Sequence, residues 1–180
     1  MKNYFIFKKY NFKTLTETII KKDNILIIIF LLAFYPFLIQ LVIAFLLVIC
    51  SYLLFETTIG PNDYYNSFVA AKNNLVPLVL NAVFVSPLWE TAIFFMLIME
   101  LSRKTSISKV WVVHGIAVAF ALAHLFRGFF ILPHYVSGVI WAWAWVLWEE
   151  KPEKKINTFF LIFWAHALKN GFTLLIYSLY

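Results

Sequence analysis

The sequence predicts an all-α protein, a polytopic bundle of about five transmembrane helices with its N-terminus in the cytoplasm. Three observations predict this fold class. Hydrophobic residues make up 63% of the 180 residues and aromatic residues 20%, whereas a soluble domain is nearer half apolar. Long apolar runs fill most of the chain, so no separate soluble domain is left over. Lysine and arginine are concentrated in alternate connections between those runs, as in the cytoplasmic loops of membrane proteins.

The chain begins with a basic segment and continues as one membrane domain. Residues 1–23 mix lysine with Phe, Tyr and Ile, which predicts a cytoplasmic, interfacial segment in contact with anionic lipid. Residues 24–180 predict a single membrane-embedded domain. Its first span, Asn24–Phe55, would be roughly 48 Å long against a hydrocarbon core of about 30 Å, so it tilts, kinks at Pro36 or extends into the interface. Cys50 has no cysteine partner and is expected to be a small buried hydrophobe.

Four further apolar runs follow a polar loop with a Gly-Pro-Asn-Asp turn signal. The predicted spans are Val76–Leu101, Lys109–Leu132, Pro133–Trp148 and Ile156–Tyr180. The fourth run is short and ends in a tryptophan cluster, which we expect at a membrane interface. That cluster comprises Trp141, Trp143, Trp145 and Trp148.

The positions of the basic residues predict the orientation. With the N-terminus inside, twelve of the fifteen lysines and arginines fall in cytoplasmic parts of the chain, and only Lys72, Arg127 and Lys169 do not. This is a strong bias in the positive-inside sense. Splitting the first run into a hairpin would invert every later loop, so five spans and an external C-terminus are favoured.

Four polar side chains fall at membrane depth on three different predicted spans: Glu90, His124, His166 and Asn170. An ionisable group inside a bilayer costs about 2.5–3.5 kcal/mol on insertion scales and indicates a functional site. At about 1.5 Å per helical residue, all four lie near the midplane or in the cytoplasmic half. His166 and Asn170 are four residues apart and share a helix face.

These residue types suit water chemistry. A carboxylate paired with an imidazole can take a proton from water and later deliver it to a leaving amine. A second imidazole and a carboxamide can donate hydrogen bonds to the oxyanion that forms on an attacked carbonyl. Pro87, three residues before Glu90, frees a backbone carbonyl and opens the helix locally, which favours a polar site.

Three motifs in order, ETAIFF, FALAH and HALKN, resemble those of the CPBP family of intramembrane proteases, the CAAX prenyl endopeptidases and bacteriocin-processing enzymes. The resemblance covers about residues 80–175. It implies that Glu90 is the general base of a glutamate-type protease and that His124 helps it to activate water. It further implies that His166 and Asn170 stabilise the oxyanion.

The chain departs from the family pattern in the first motif. That motif is often a Glu-Glu pair followed by an arginine, and here Thr91 and Phe95 occupy the second glutamate and arginine positions. Arg127, three residues after His124, is a candidate for a nearby cation. The missing charges motivate an alternative function, a non-catalytic membrane protein on the same scaffold, such as a bacteriocin self-immunity or regulatory protein.

No cofactor is expected. Glu90, His124 and His166 are residue types that can bind a zinc ion. No metal is favoured, however, because the sequence has no HExxH motif and because the water mechanism already uses these residues. A b-type haem with His124 and His166 as axial ligands is a third alternative, which would leave Glu90 and Asn170 unexplained.

The other polar residues receive structural interpretations. His114 and His134 are expected to be surface or interfacial histidines. Glu100 and Arg103 are expected to form a solvated pair at a helix end. Lys169, adjacent to Asn170, is expected to face elsewhere and to reach lipid headgroups.

The expected partners are membrane lipids and a peptide or protein substrate, either lipid-modified or bacteriocin-like, and no nucleic acid. The richness in Lys, Asn, Ile and Phe is typical of an AT-rich bacterial genome, so we expect an integral protein of a bacterial cell membrane.

Overall fold

The computed structural model describes residues 12–22, 24–55, 75–124, 131–151 and 156–178. The described part of the chain is helical and has no strand, which confirms the predicted all-α class. Its helices are α1 (Phe12–Ile20), α2 (Ile25–Phe55), α3 (residues 75–102), α4 (Lys109–Leu122), α5 (Ile131–Glu149) and α6 (Thr158–Ser178). The basic segment predicted for residues 1–23 stays a prediction, since residues 1–11 lie outside the described ranges.

In the described part of the chain, four helices are long and apolar enough to cross a membrane, which indicates an integral membrane protein as predicted. They are Ile25–Leu46 within α2, Val76–Ser102 in α3, Ile131–Glu149 in α5 and Thr158–Ile176 in α6. The remaining predicted span is α4, whose 14 residues are about 21 Å long.

The predicted boundary between the third and fourth spans was wrong. α4 ends at Leu122 rather than Leu132, and α5 begins at Ile131 rather than Pro133. Most residues between Leu122 and Ile131 are apolar despite His124 and Arg127, so hydropathy alone could not locate the end of the helix. Pro133 fits in the first turn of α5, where its missing N–H removes no helical hydrogen bond.

α5 is the central helix of the bundle. In its apolar window 72% of residues are buried, against 22% to 39% in the three other candidate spans. Its tryptophans, Trp141, Trp143, Trp145 and Trp148, are all buried. Their position at a membrane interface stays a prediction. The indole Nε1 of Trp141 donates to the carbonyl of Leu32 at 2.9 Å, and that of Trp148 to Ile156 at 2.9 Å. These rings fill the protein interior because α5 is enclosed by other helices.

α4 and α5 pack unusually closely where two small residues meet. A Cβ placed on Gly138 of α5 would lie 2.8 Å from the Cα of Ala117 in α4. Such a distance excludes any side chain at position 138 without movement of the α4 backbone. Close helix contact through small residues is typical of membrane bundles, where van der Waals packing drives association.

Charged side chains join three helices at one end of the bundle. Arg103, after α3, pairs with Glu100 and with Glu149 of α5, and Lys109 of α4 pairs with Glu150. The hydrogen bond with Glu149 raises the pKa of Arg103 above its usual value. The expected Glu100–Arg103 pair is thus present and half-exposed. These ion pairs bring the α3–α4 connection, which the positive-inside rule assigns to the cytoplasm, next to the C-terminal end of α5.

α1 lies alongside the last turns of α5. Lys13 Nζ lies 5.1 Å from the centroid of the Trp143 ring, and Lys151 Nζ donates to the carbonyl of Ile20 at 3.2 Å. Ile19 of α1 is buried in the same core.

Cys50 is exposed on α2, so the expectation of a buried thiol was wrong. With 31 residues, α2 is about 46 Å long. In its later part, Phe45, Leu46, Ile49 and Leu53 are exposed as well.

Candidate active site

α3 is irregular where it reaches the site. Two π-helical segments, Leu80–Val85 and Thr91–Leu97, interrupt it on either side of the short α-helical segment Ser86–Glu90. π-helical turns are rare and frequently lie at functional sites. Pro87, in the middle segment, cannot donate a backbone hydrogen bond, which agrees with the local opening predicted from the sequence.

The carboxylate of Glu90 lies at the centre of the site. Its Oε2 is 3.6 Å from Nε2 of His124 and 3.4 Å from Nε2 of His166. Its Oε1 accepts a hydrogen bond from the hydroxyl of Ser86, one helical turn earlier. The Glu90 side chain is 18% exposed, and those of His124 and His166 are 7% and 3% exposed. The structure therefore brings together three of the four residues that the sequence indicated.

The histidine of α4 has a defined tautomer. Nδ1 of His124 donates to the carbonyl of Phe120 at 2.8 Å, since a carbonyl oxygen can only accept. In the neutral ring Nε2 is then an acceptor, and it faces the carboxylate of Glu90, which also only accepts when ionised. A favourable contact between them requires a shared proton, on His124 or on Glu90. The pair is therefore suited to holding and moving one proton.

The fourth indicated residue binds the backbone of α3. Nδ2 of Asn170 donates to the carbonyl of Ala82 at 2.9 Å. Asn170 lies one turn from His166 on α6, so two residues of one helix face contact α3, one on each side of Pro87.

Aromatic rings surround the histidines. The Phe120 ring lies 4.8 Å from that of His124 and 5.6 Å from that of His166, and Trp141 lies 4.4 Å from His166. All distances are between ring centroids. Such walls exclude water and lower the local dielectric, which strengthens the electrostatic interactions inside.

The sequence interpretation missed a third imidazole. His134 is 7% exposed, and its ring stacks on that of His124 with centroids 3.9 Å apart and an interplanar angle of 18°. A surface position, one of the two expected for it, was therefore wrong. A signal was available, because His124 ends one helix and His134 begins the next, and the facing ends of antiparallel neighbours lie close together.

The expected position of Lys169 was also wrong. This lysine is 4% exposed and does not face outward. That expectation rested only on the adjacency of Lys169 to Asn170 in the chain. Lys169 is three residues from His166, and residues three apart lie on the same side of a helix.

His114 is half-buried and hydrogen-bonded, through Nδ1, to the Tyr135 hydroxyl at 2.7 Å. It does not join the site among the described contacts. Arg127, the suggested nearby cation, lies outside the described residues.

The two departures from the family pattern are fully buried. Phe95 is 0% exposed and packs between Phe120 and Trp141, with ring centroids 5.7 and 6.1 Å away. Thr91 is 0% exposed, and its hydroxyl has no hydrogen-bond partner within the described part of the chain. An apolar ring thus fills the position at which the family often has an arginine.

The described residues contain no group of three or more His, Cys, Asp or Glu side chains arranged to hold a metal ion. The zinc and haem alternatives stay predictions.

A comparison with known protein families identifies one that matches this chain. A model of the family described as type II CAAX prenyl endopeptidase Rce1-like matches residues 72–172. This range includes α3 to α5 and all four indicated site residues, and it agrees with the resemblance found in the motifs. Neither a curated protein nor a solved structure matches the chain. Because the match covers more than half of the sequence, the chain belongs to the Rce1-like family of type II CAAX prenyl endopeptidases.

Proposed function

We propose that the protein is an intramembrane endopeptidase in which Glu90 and His124 activate a water molecule. The observation that supports this most is the position of Glu90 Oε2, 3.4 and 3.6 Å from two imidazole nitrogens in a nearly buried site. Membership of an endopeptidase family supports the same reaction class. Each of the four polar groups predicted at membrane depth then has a role.

In the first step the carboxylate of Glu90 accepts one proton from water. The water oxygen adds to the carbonyl carbon of the peptide, and a tetrahedral oxyanion forms. His124 shares the accepted proton through Nε2, since its Nδ1 proton is engaged by Phe120. The pair then delivers this proton to the departing nitrogen as the C–N bond breaks, giving a carboxylic acid and a free amine.

His166 and Asn170 are assigned to the oxyanion. His166 can donate from an imidazole N–H, and Asn170 has a second amide N–H besides the one that Ala82 accepts. Removal of one oxyanion donor typically costs about 10²–10³ in kcat. The aromatic walls make these donors more effective than they would be in water.

The substrate is proposed to be a peptide or protein held at the membrane. The family description indicates a prenylated C-terminal peptide as one class, and a bacteriocin-like peptide is the other. Both would reach a site between membrane helices through an apolar segment or lipid. Peptide profiles from cells discriminate between the two classes.

The decisive experiment compares membrane and secreted peptides from cells with the wild-type protein and with Glu90→Gln at matched expression. Glu90→Gln keeps the size and shape of the side chain but replaces the basic carboxylate with a neutral amide. Cleavage products should be present with the wild type and absent with Glu90→Gln.

Glu100→Gln is the matched control, since Glu100 lies outside the site, exposed and paired with Arg103. Cells with Glu100→Gln should give the wild-type profile. Wild-type cleavage by Glu90→Gln would refute the proposed base.

The buried Phe95 motivates a second candidate, a non-catalytic membrane protein on the same scaffold. The aromatic packing of Phe95 leaves an apolar group where relatives often have a charge. Identical peptide profiles, together with a cellular phenotype that Glu90→Gln rescues, would favour this candidate.

A further inference from the structure

One backbone carbonyl in α3 has no main-chain donor. In the π-helical segment Leu80–Val85, the N–H of Ser86 donates to the carbonyl of Asn81, five residues earlier. The next donor in that register would be residue 87, directed to Ala82, but Pro87 has no N–H. The Ala82 carbonyl therefore receives neither the α-helical nor the π-helical hydrogen bond.

Asn170 supplies the missing donor from another helix. Its Nδ2 lies 2.9 Å from the oxygen of Ala82. An unsatisfied carbonyl inside a membrane costs several kcal/mol in the absence of water, and side chains of neighbouring helices commonly satisfy those that prolines release. The bond thus compensates locally for Pro87.

The same helix face of α6 contacts α3 on the other side of the proline. His166, one turn from Asn170, lies 3.4 Å from Glu90, which follows Pro87, whereas Ala82 precedes it. Two attachments on either side of a weakened helix fix the position of the segment that contains Ser86 and Glu90.

We infer that Asn170 is a positioning residue: through Ala82 it secures the Pro87 interruption to α6 and thereby sets the position of Glu90 relative to His166. The effect on catalysis rests on the proposed function, but the coupling between Asn170 and Pro87 does not. The bond also orients the amide of Asn170, so that its second N–H is directed independently of any substrate.

A double-mutant cycle tests the coupling. Pro87→Ala restores a backbone N–H at position 87 and removes the proline ring. The Ala82 carbonyl can then accept from residue 87 in the π-helical register or from Ser86 in the α-helical register. Asn170→Leu should lower the Tm of the purified protein by about 2–4 °C in the wild-type background. In the Pro87→Ala background the same substitution should lower it by less than half as much. If Asn170→Leu does not fold, Asn170→Ala replaces it in the cycle.

Thr173→Val is the matched control. Thr173 lies on α6 in the next turn, and its hydroxyl donates to the carbonyl of Lys169 within the same helix at 3.1 Å. Thr173→Val removes a side-chain hydrogen bond that, unlike that of Asn170, lies within α6. The Tm changes of Thr173→Val and Pro87→Ala should be additive.

A second measurement tests the position of Glu90 independently. The protein is treated with dicyclohexylcarbodiimide, a membrane-soluble carboxyl reagent, and mass spectrometry identifies the labelled carboxylates and their labelling rates. Asn170→Leu should raise the labelling rate of Glu90 and leave that of the exposed Glu100 unchanged. Thr173→Val should alter neither.

Additive Tm changes for Asn170 and Pro87, or an unchanged labelling rate of Glu90, would overturn the inference. If Asn170→Leu abolishes cleavage while its Tm change adds to that of Pro87→Ala, Asn170 acts only as a hydrogen-bond donor to the oxyanion. Because Tm and labelling require no turnover, an absence of cleavage in every variant would count against the proposed function alone.

Discussion

At the scale of single residues, the site depends on how the carboxylate of Glu90 is held. One oxygen accepts from Ser86, which leaves the other directed at His124 and His166. Ser86 is four residues before Glu90, a spacing that places both on one face of a helix. The sequence carries no signal for this role of Ser86, because a serine in an apolar run commonly bonds to its own backbone.

Ser86→Ala should lower kcat and leave KM nearly unchanged, because the carboxylate loses the bond that fixes its orientation. A hydrogen bond to a charged group contributes about 1.5–3 kcal/mol, which corresponds to a decrease of roughly 10- to 100-fold. Steady-state kinetics on the cleaved peptide measures it. Ser86→Thr keeps the hydroxyl and should retain most of the activity.

Ser137→Ala controls for the general loss of a buried hydroxyl. Ser137 lies in α5 and donates to the carbonyl of Pro133 in its own helix. A kcat for Ser86→Ala equal to that of Ser137→Ala would contradict the orienting role of Ser86.

At the scale of helices, the contact between α4 and α5 holds two histidines together. His124 lies two residues after the end of α4 and His134 lies in the first turn of α5, and their rings stack. Gly138, one turn after His134, permits this approach because it has no Cβ. The helix pair therefore supports the geometry of the site.

Gly138→Ala should destabilise the protein by about 1–3 kcal/mol, since the new methyl group would overlap the α4 backbone at Ala117. Thermal unfolding in detergent measures it. Gly115→Ala and Gly171→Ala are the controls, because a Cβ at either position meets nothing within 4 Å.

Both control variants should be neutral or stabilising, since alanine favours a helix over glycine by up to about 1 kcal/mol. A Gly138→Ala protein as stable as the two controls would show that the α4–α5 contact is looser than described.

At the scale of the whole molecule, orientation follows from charge. The ion pairs of Arg103 with Glu149 and of Lys109 with Glu150 gather the α3–α4 connection and the end of α5 at one end of the bundle. The positive-inside rule assigns that end to the cytoplasm.

Labelling of one engineered cysteine tests this orientation. In a Cys50→Ser background, Ser106→Cys places a thiol at an exposed site between α3 and α4. A membrane-impermeant maleimide should label it only after permeabilisation, because that connection is expected in the cytoplasm. Labelling in intact cells would reverse the predicted orientation of every span.

The fold class, the apolar runs and the four polar residues within them could be predicted from the sequence alone. These follow from composition, hydropathy and spacing within single helices, which are properties of consecutive residues. The same local patterns, compared with known motifs, indicated the family. The catalytic roles of the four residues stay predictions.

Only the tertiary structure decided which side chains meet. That one oxygen of Glu90 faces two imidazoles, that His134 stacks on His124 and that Asn170 binds Ala82 all depend on how neighbouring helices are rotated and spaced. The burial of the tryptophans and of Lys169 also depends on the neighbouring helices. The sequence pattern of an apolar helix is the same whether lipid or protein surrounds it. Contacts between helices depend on distances that no periodicity along one helix specifies, and those contacts form the site.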